Sequence, residues 1–164
     1  MIHRVGLGFD VHPFGGDGPL VMGGVTIDGP GLVGHSDADV IAHAVADALL
    51  GPAGLPDIGT LYPATDDAYA GVSSIGLLAD VAERVAREQW WVQNVDVTVA
   101  AEAPRLAPHL AAMADAVRGA LRPLQEPMGV PMLVSITPKR GEGLGFVGRV
   151  EGIACWAVAM LCRG

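Results

Sequence analysis

His35-Ser36-Asp37-Ala38-Asp39-Val40-Ile41-Ala42-His43-Ala44-Val45-Ala46-Asp47-Ala48-Leu49-Leu50-Gly51 contains two apolar rows at helical spacing, Val40, Ala44, Ala48 and Ile41, Val45, Leu49. Ser36 followed by Asp39 has the form of a capping box, and together these features predict a helix over residues 36–50. Asp39, His43 and Asp47 recur every fourth residue and share one face, which puts His43 between two carboxylates. A carboxylate beside an imidazole is the usual device for fixing the tautomer of a metal-ligating histidine. The same spacing equally describes an ordinary solvated face. The Gly/Pro-rich stretch 51–56 then ends the helix.

Towards the N-terminus, residues 4–12 alternate, with Val5, Leu7, Phe9 and Val11 on one side, and read as a strand. Asp10 and His12 therefore leave its other side together, at the strand end. Facing His43, they would make a site of two histidines and one carboxylate with a coordination position open for water or a substrate oxygen. Taken alone, an Asp-x-His pair carries no such meaning. Gly15-Gly16-Asp17-Gly18-Pro19 supplies a turn into a second strand, Leu20 to Ile27, giving a hairpin.

Towards the C-terminus, residues 57–72 hold too many turn formers for regular structure. A second helix starts at Ser73 or Ser74 and runs to about Glu88, with Leu77, Leu78, Val81, Ala82 and Val85 facing inward. Val92 to Ala101 reads as a strand, Pro108 to Leu121 as a third helix and Met132 to Thr137 as another strand. Ile153 to Leu161 fits a strand or a short buried helix. Strands alternating with helices imply an α+β, two-layer fold, a sheet covered by helices on one face. Its bare face would require a partner.

Composition narrows the function classes. The 164 residues suit a single domain, 1–164, and are 51% hydrophobic but only 5% aromatic. A net charge of −8, from 10 Lys+Arg against 18 Asp+Glu, argues against nucleic-acid binding through an extended basic face. The apolar run 153–162 is far short of the roughly 20 residues of a membrane span. No signal-peptide pattern opens the chain, so a cytoplasmic location is expected. Cys155 and Cys162 match neither a redox pair nor a zinc ribbon and read as buried reduced thiols.

Several groups suit a phosphorylated ligand. His35-Ser36 at the expected helix start would offer backbone amides to an anion, although capping alone accounts for Ser36. Asp57-Ile58-Gly59 and Asp66 could accept bonds from substrate hydroxyls, or simply form turns. Lys139-Arg140-Gly141-Glu142-Gly143-Leu144-Gly145-Phe146 puts two cations and a carboxylate in a glycine-rich loop. That composition fits a phosphate with a divalent cation at Glu142, or an exposed loop. Arg105 and Arg149 are the other basic candidates.

The motifs together resemble one family. Gly8-Phe9-Asp10-Val11-His12, His35-Ser36-Asp37-x-Asp39-Val40 with His43, Asp47-Ala48-Leu49-Leu50-Gly51, Asp57-Ile58-Gly59, Asn94-Val95-Asp96-Val97, Ala103-Pro104-Arg105 and Leu144-Gly145-Phe146 through Gly152-Ile153-Ala154 are similar to 2-C-methyl-D-erythritol 2,4-cyclodiphosphate synthases, in the same order almost end to end. The resemblance implies cyclisation of 4-diphosphocytidyl-2-C-methyl-D-erythritol 2-phosphate with release of CMP, a step of non-mevalonate isoprenoid biosynthesis. It implies a homotrimer whose subunits each carry a four-stranded mixed sheet with helices on one face, and whose active sites lie between subunits. It places Zn2+ or another divalent transition metal on Asp10, His12 and His43, and Mg2+ or Mn2+ on Glu142 with the substrate diphosphate. His35, Arg140 and Glu142 become catalytic, with Ser36, Asp57, Ile58, Gly59, Tyr62 and Asp66 around the methylerythritol phosphate. Ala101, Ala103, Pro104, Arg105 and Lys139 fall to the cytidine diphosphate. Phe146, Arg149 and Glu151 match a cavity on the threefold axis that takes an isoprenoid diphosphate in some members.

The chain also departs from the family pattern. Lys139-Arg140-Gly141 replaces a threonine run before Glu142, Tyr62 and Ala64 replace an aromatic and an acidic residue, and Ala38 and Val150 replace glycines. Trp90-Trp91 lacks the glycine expected in that turn. An alternative of the same fold is a binding protein that keeps zinc and nucleotide or isoprenoid-diphosphate binding with little turnover.

Overall fold

In the computed structural model, which describes residues 1–126 and 129–164, the elements follow in the order β1 (Ile2–Gly16), β2 (Leu20–Met22), β3 (Val25–Ile27), β4 (Gly31–Leu32), α1 (Val40–Ala53), α2 (Ile58–Leu61), α3 (Ser74–Arg87), β5 (Trp91–Ala100), α4 (Leu110–Ala120), β6 (Leu133–Lys139), α5 (Gly145–Gly148) and β7 (Gly152–Arg163). The main sheet has the order β4-β1-β7-β5-β6. Four long strands form it, as the family resemblance implies, and the two-residue β4 adds a short edge beside β1. β7 runs antiparallel to both β1 and β5, while β5 and β6 are parallel, joined through α4. The C-terminal ends of β1, β5 and β6 therefore stand at the same end of the sheet. Ile153 to Leu161 is strand, which resolves the ambiguity of that apolar run.

Gly6, Gly8, Asp10 and His12 form one row of β1, and α1 lies directly over the two glycines. A Cβ on Gly8 would fall 1.8 Å from the Ala44 carbonyl oxygen, and one on Gly6 2.0 Å from that of Ala48. Small residues on both elements bring the helix backbone against the strand, which carries His43 to the level of Asp10. Val40, Ile41, Ala44, Val45, Ala48 and Leu49 are all fully buried, as are Leu78, Val81, Ala82 and Val85 of α3, against Val95, Val97, Val99, Cys155 and Ala157 of the sheet.

The opposite face is bare. In register across it stand Leu7 with Val158 and Phe9 with Trp156, the last two rings 5.2 Å apart. Leu7 is 67% exposed, Phe9 49% and Trp156 40%. Towards β6 this face turns polar, with Asp96 beside Ser135 and Thr98 beside Thr137.

Four local expectations are corrected. Residues 57–72 are not without regular structure, because Asp57 caps the one-turn helix α2 by accepting from Thr60 N. Leu20 to Ile27 is not one strand paired with β1: Gly23 and Gly24 both take positive φ, 56° and 75°, and fold it into its own hairpin, β2–β3. Two such residues are what a tight two-residue hairpin turn demands. The helix expected over 36–50 starts at Val40, because Asp39, not Ser36, is its N-cap, accepting from Ile41 N at 3.0 Å and Ala42 N at 3.1 Å. The same buried carboxylate accepts from Gly23 N and Gly24 N at 2.8 and 2.6 Å, tying the hairpin turn to the helix start. Finally, the turn before β5 is made by Gln89, at φ 62°, and Trp90 packs between Arg4 and Arg163, whose guanidinium carbons lie 4.8 and 4.4 Å from its ring centroid.

Candidate metal centre and its flanking pockets

Three acceptor atoms converge at the end of β1. Asp10 Oδ2 lies 3.0 Å from His43 Nδ1 and 3.1 Å from His12 Nε2, and the two nitrogens are 3.4 Å apart. An ion with tetrahedral bonds of about 2.0–2.1 Å has ligand–ligand edges of about 3.3 Å, so this triangle is the size of one tetrahedral face. The ring orientations agree. His12 donates Nδ1–H to the Val33 carbonyl at 2.6 Å, leaving the Nε2 lone pair directed at the centre. His43 presents Nε2 to the Ser74 hydroxyl at 2.9 Å and the Ser36 hydroxyl at 3.2 Å, which turns Nδ1 toward the centre. Among the described residues this is the only cluster of three such groups, and its donor set fits a divalent cation with one open position. Burial opposes the charge on Asp10, yet the His12 and His43 imidazoles override it and hold the carboxyl well below the usual carboxylate range. Burial likewise opposes the charge on His12, and Asp10 reverses that, raising the imidazole above its ordinary value.

Neither carboxylate flanking His43 in sequence serves it. Asp39 is committed to the four backbone N–H groups named above, and Asp47 accepts from Ile58 N at 2.9 Å, anchoring α2. Burial raises both carboxyls above the ordinary value. The imidazole is steadied instead by Ser36 and Ser74, whose hydroxyls are 3.0 Å apart. Ser74 is fully buried, a residue whose sequence position reads only as a helix start. Because the helix begins at Val40, His35-Ser36 does not sit at its N-terminus, so helix-terminal amides are not what these two residues would offer an anion.

Beside the cluster opens a cavity of about 230 Å³ lined by Asp10, His12, His35, Ser36, His43, Ile58, Gly59, Tyr62, Ala64, Tyr69 and Leu77. His35 Nε2–H donates to the Asp66 carbonyl at 3.0 Å, holding the imidazole at the rim. Asp57 and Asp66 are not in the wall. Asp57 accepts from Thr60 N and Thr60 Oγ1, both at 2.9 Å, and Asp66 from Ala68 N at 2.9 Å, so both act as local caps. Tyr69 and Leu77 are wall residues that the sequence reading missed, since one looked like loop and the other like core.

A second cavity, about 470 Å³, lies at the same end of the sheet between the loops following β5 and β6. Ala101, Glu102, Pro104, Arg105, Leu106, Ala107, Pro138, Lys139 and Arg140 line it. Arg140 is not free: its Nε donates to Glu102 Oε1 at 3.2 Å and its Nη2 to the same oxygen, while Gly141 N donates to Glu102 Oε2 at 2.9 Å. The two cavities share no wall residue. Glu142 is exposed and does not join the Asp10 cluster within one chain. Phe146 and Arg149 line neither cavity, and Arg149 pairs with Glu151, Nε to Oε1 at 2.8 Å.

Known proteins share this arrangement of sequence. The chain is 48% identical over 161 residues to the 2-C-methyl-D-erythritol 2,4-cyclodiphosphate synthase of Pectobacterium atrosepticum, covering 98% of this chain and 94% of that one. It is 48% identical over 158 residues to the bifunctional enzyme IspD/IspF of Anaeromyxobacter dehalogenans, covering 96% of this chain but only 39% of the longer relative. Among solved structures, the CDP complex of IspF from Plasmodium falciparum superposes with a TM-score of 0.80 at 27% identity, covering 98% of this chain and 96% of that one. With residues 3–162 matching its family model, this chain belongs to the YgbB family, that of the 2-C-methyl-D-erythritol 2,4-cyclodiphosphate synthases.

Proposed function

We propose that this chain is a cyclodiphosphate synthase, a phosphorus–oxygen lyase that converts 4-diphosphocytidyl-2-C-methyl-D-erythritol 2-phosphate to 2-C-methyl-D-erythritol 2,4-cyclodiphosphate and CMP. The observation that carries the reading is the convergence of Asp10, His12 and His43 beside an open pocket, with the far ring nitrogen of each imidazole held by a protein oxygen. In the reaction an oxygen of the 2-phosphate attacks the β-phosphorus, the bond from that phosphorus to the bridging oxygen breaks, and CMP departs with the electron pair. Little covalent work falls to the protein. Its tasks are to bring both ends of the substrate together and to offset the accumulating negative charge.

Asp10, His12 and His43 hold a divalent transition metal, with zinc favoured by the donor set, and Glu142 holds a second divalent cation. Bound there, such ions supply Lewis-acid charge to phosphate oxygens. His35, fixed at the rim by the Asp66 carbonyl, stands beside the place of the polyol phosphate, and Gly59 leaves that wall open to it. Lys139 and Arg105 face the nucleotide diphosphate from the larger cavity. Arg140 adds positive charge to its floor but works mainly through Glu102, by binding the 101–107 loop to the 139–142 loop.

We further infer a homotrimer. The two cavities occupy one end of the sheet without a common wall, an arrangement that suits a substrate lying between the metal of one copy and the nucleotide loop of its neighbour. The bare face of β1 and β7 is apolar enough to bury against such copies. Phe146 and the Arg149–Glu151 pair then stand near the axis, a place for an isoprenoid diphosphate. The deciding experiment is CMP release by zinc-loaded trimer with magnesium. Metal-dependent CMP is expected, and none above background would leave only the binding-protein alternative.

A further inference from the structure

We propose that Tyr62, Asp80 and Arg84 form a tether that fixes the 62–69 segment as a wall of the metal pocket and so sets how tightly the polyol-phosphate half of the substrate is held. This deepens the cyclisation reading and rests on it. The Tyr62 hydroxyl donates to Asp80 Oδ2 on α3, and Arg84 Nε donates to the same oxygen at 2.7 Å. The Arg84 guanidinium also lies 5.8 Å from the Tyr62 ring centroid, so one cation closes both contacts. Tyr69 meets Tyr62 edge-on at 5.4 Å between centroids, which passes the restraint to the far end of the segment.

Apart from this tether the wall is held by the packing of Ile58, Leu61 and Tyr62 against the core and by its two approaches. Its approaches are anchored by Ile58 N on Asp47 and by Gly71 N on the His35 carbonyl, at 2.9 and 2.8 Å. Between them, Ala64 to Ala68 is exposed and its backbone bonds are local turns, apart from the one that His35 makes to Asp66. Tyr62, Ala64 and Tyr69 nevertheless line the cavity together with His35 and Ser36. With its hydroxyl committed to Asp80, Tyr62 offers the pocket an apolar ring rather than a polar tip, a surface suited to the methyl-bearing carbon skeleton rather than to phosphate. Both ionisations favour the tether: burial and Asp80 push the phenol up to about 12, and the Tyr62 hydroxyl and Arg84 hold the Asp80 carboxyl below the usual range. A proton thus stays on Tyr62 and a charge on Asp80 throughout the neutral range.

Hydrogen exchange on zinc-loaded wild type, Tyr62→Phe and Asp80→Asn tests the tether without needing turnover, and steady-state kinetics test its consequence. Both variants are expected to exchange residues 63–71 several-fold faster, with α1 and β7 unmoved. KM for the diphosphocytidyl substrate should rise about five- to tenfold in Tyr62→Phe while kcat falls by no more than about twofold, as for loss of one bond to a charged partner. Affinity for cytidine diphosphate alone should stay the same. Unchanged exchange in 63–71, faster exchange throughout the chain, or an unchanged KM would each overturn the proposal. If wild type releases no CMP, the cyclisation reading fails, and with it the claimed consequence for substrate, while the exchange arm still decides whether the tether exists.

Discussion

The Ser74 hydroxyl lies 2.9 Å from Nε2 of His43, whose other ring nitrogen faces Asp10 at 3.0 Å. Ser74 therefore orients a ligand that it does not replace. Ser74→Ala should leave the fold intact and weaken zinc binding by about 10- to 100-fold, the usual cost of losing an outer-shell partner, with Ser36 retaining part of the effect. Chelator competition on the purified variant measures this, and wild-type affinity would remove Ser74 from the site.

That contact also marks the limit of sequence reading. The strand carrying Asp10 and His12 and the helix carrying His43 were legible because each has a strong period, and the row Gly6, Gly8, Asp10, His12 needed only alternation to place both ligands on one side. What held His43 was not legible, since the Ser36–Ser74 pair spans 38 residues of sequence and joins a loop to the first turn of α3. Asp39 and Asp47 misled for a related reason. A carboxylate beside a histidine on a helical wheel says nothing about backbone N–H groups arriving from elsewhere, and Gly23, Gly24 and Ile58 claim those carboxylates. Arg140 similarly reads as free for phosphate in the sequence, and it is Glu102, 38 residues away, that holds it.

Val150 occupies the left-handed region at φ 59°, between Arg149 and Glu151. A β-branched side chain is strained there by about 1–2 kcal/mol, while glycine would add back part of that as unfolded-chain entropy. Val150→Gly should stabilise the chain by roughly 1 kcal/mol. A denaturant midpoint that falls instead would show that Val150 is supported by contacts across copies.

Glu102 receives both Arg140 and Gly141 N, so it joins the two loops of the nucleotide cavity. Glu102→Gln and Arg140→Ala should each weaken cytidine diphosphate binding by less than about tenfold, and the double variant by no more than the worse single, because both break one link. Calorimetry over the four proteins gives the coupling. Full additivity would mean that Arg140 contacts phosphate independently of Glu102.

Leu7 and Trp156 sit on the bare face of β1 and β7, and a charge there should block association without disturbing the helical layer behind it. Trp156→Glu and Leu7→Glu are expected to elute as monomers that still bind zinc, because Asp10, His12 and His43 come from one chain. Light scattering with elemental analysis reads both. A trimer of undiminished stability would move the interface to another surface.

The Tyr62–Asp80 bond makes stability depend on pH at both extremes, with opposite signs. Tyr62 has a folded pKa raised to about 12, so its contribution is complete below the unfolded value of about 10 and disappears as pH rises through the folded one. Asp80 is lowered, chiefly by the Tyr62 hydroxyl and then by Arg84, so its contribution is present above the unfolded value of about 3.9 and disappears as pH falls through the lower folded one. Absorbance titration near 295 nm should show Tyr62 ionising last, close to pH 12, a component absent from Tyr62→Phe. In thermal melts the gap between wild type and Asp80→Asn should be constant through the neutral range and close below about pH 4. A gap that persists into acid would mean that the Asp80 charge contributes nothing to the bond, leaving Arg84 paired with Asp80 for its own sake and Tyr62 merely lying beside them.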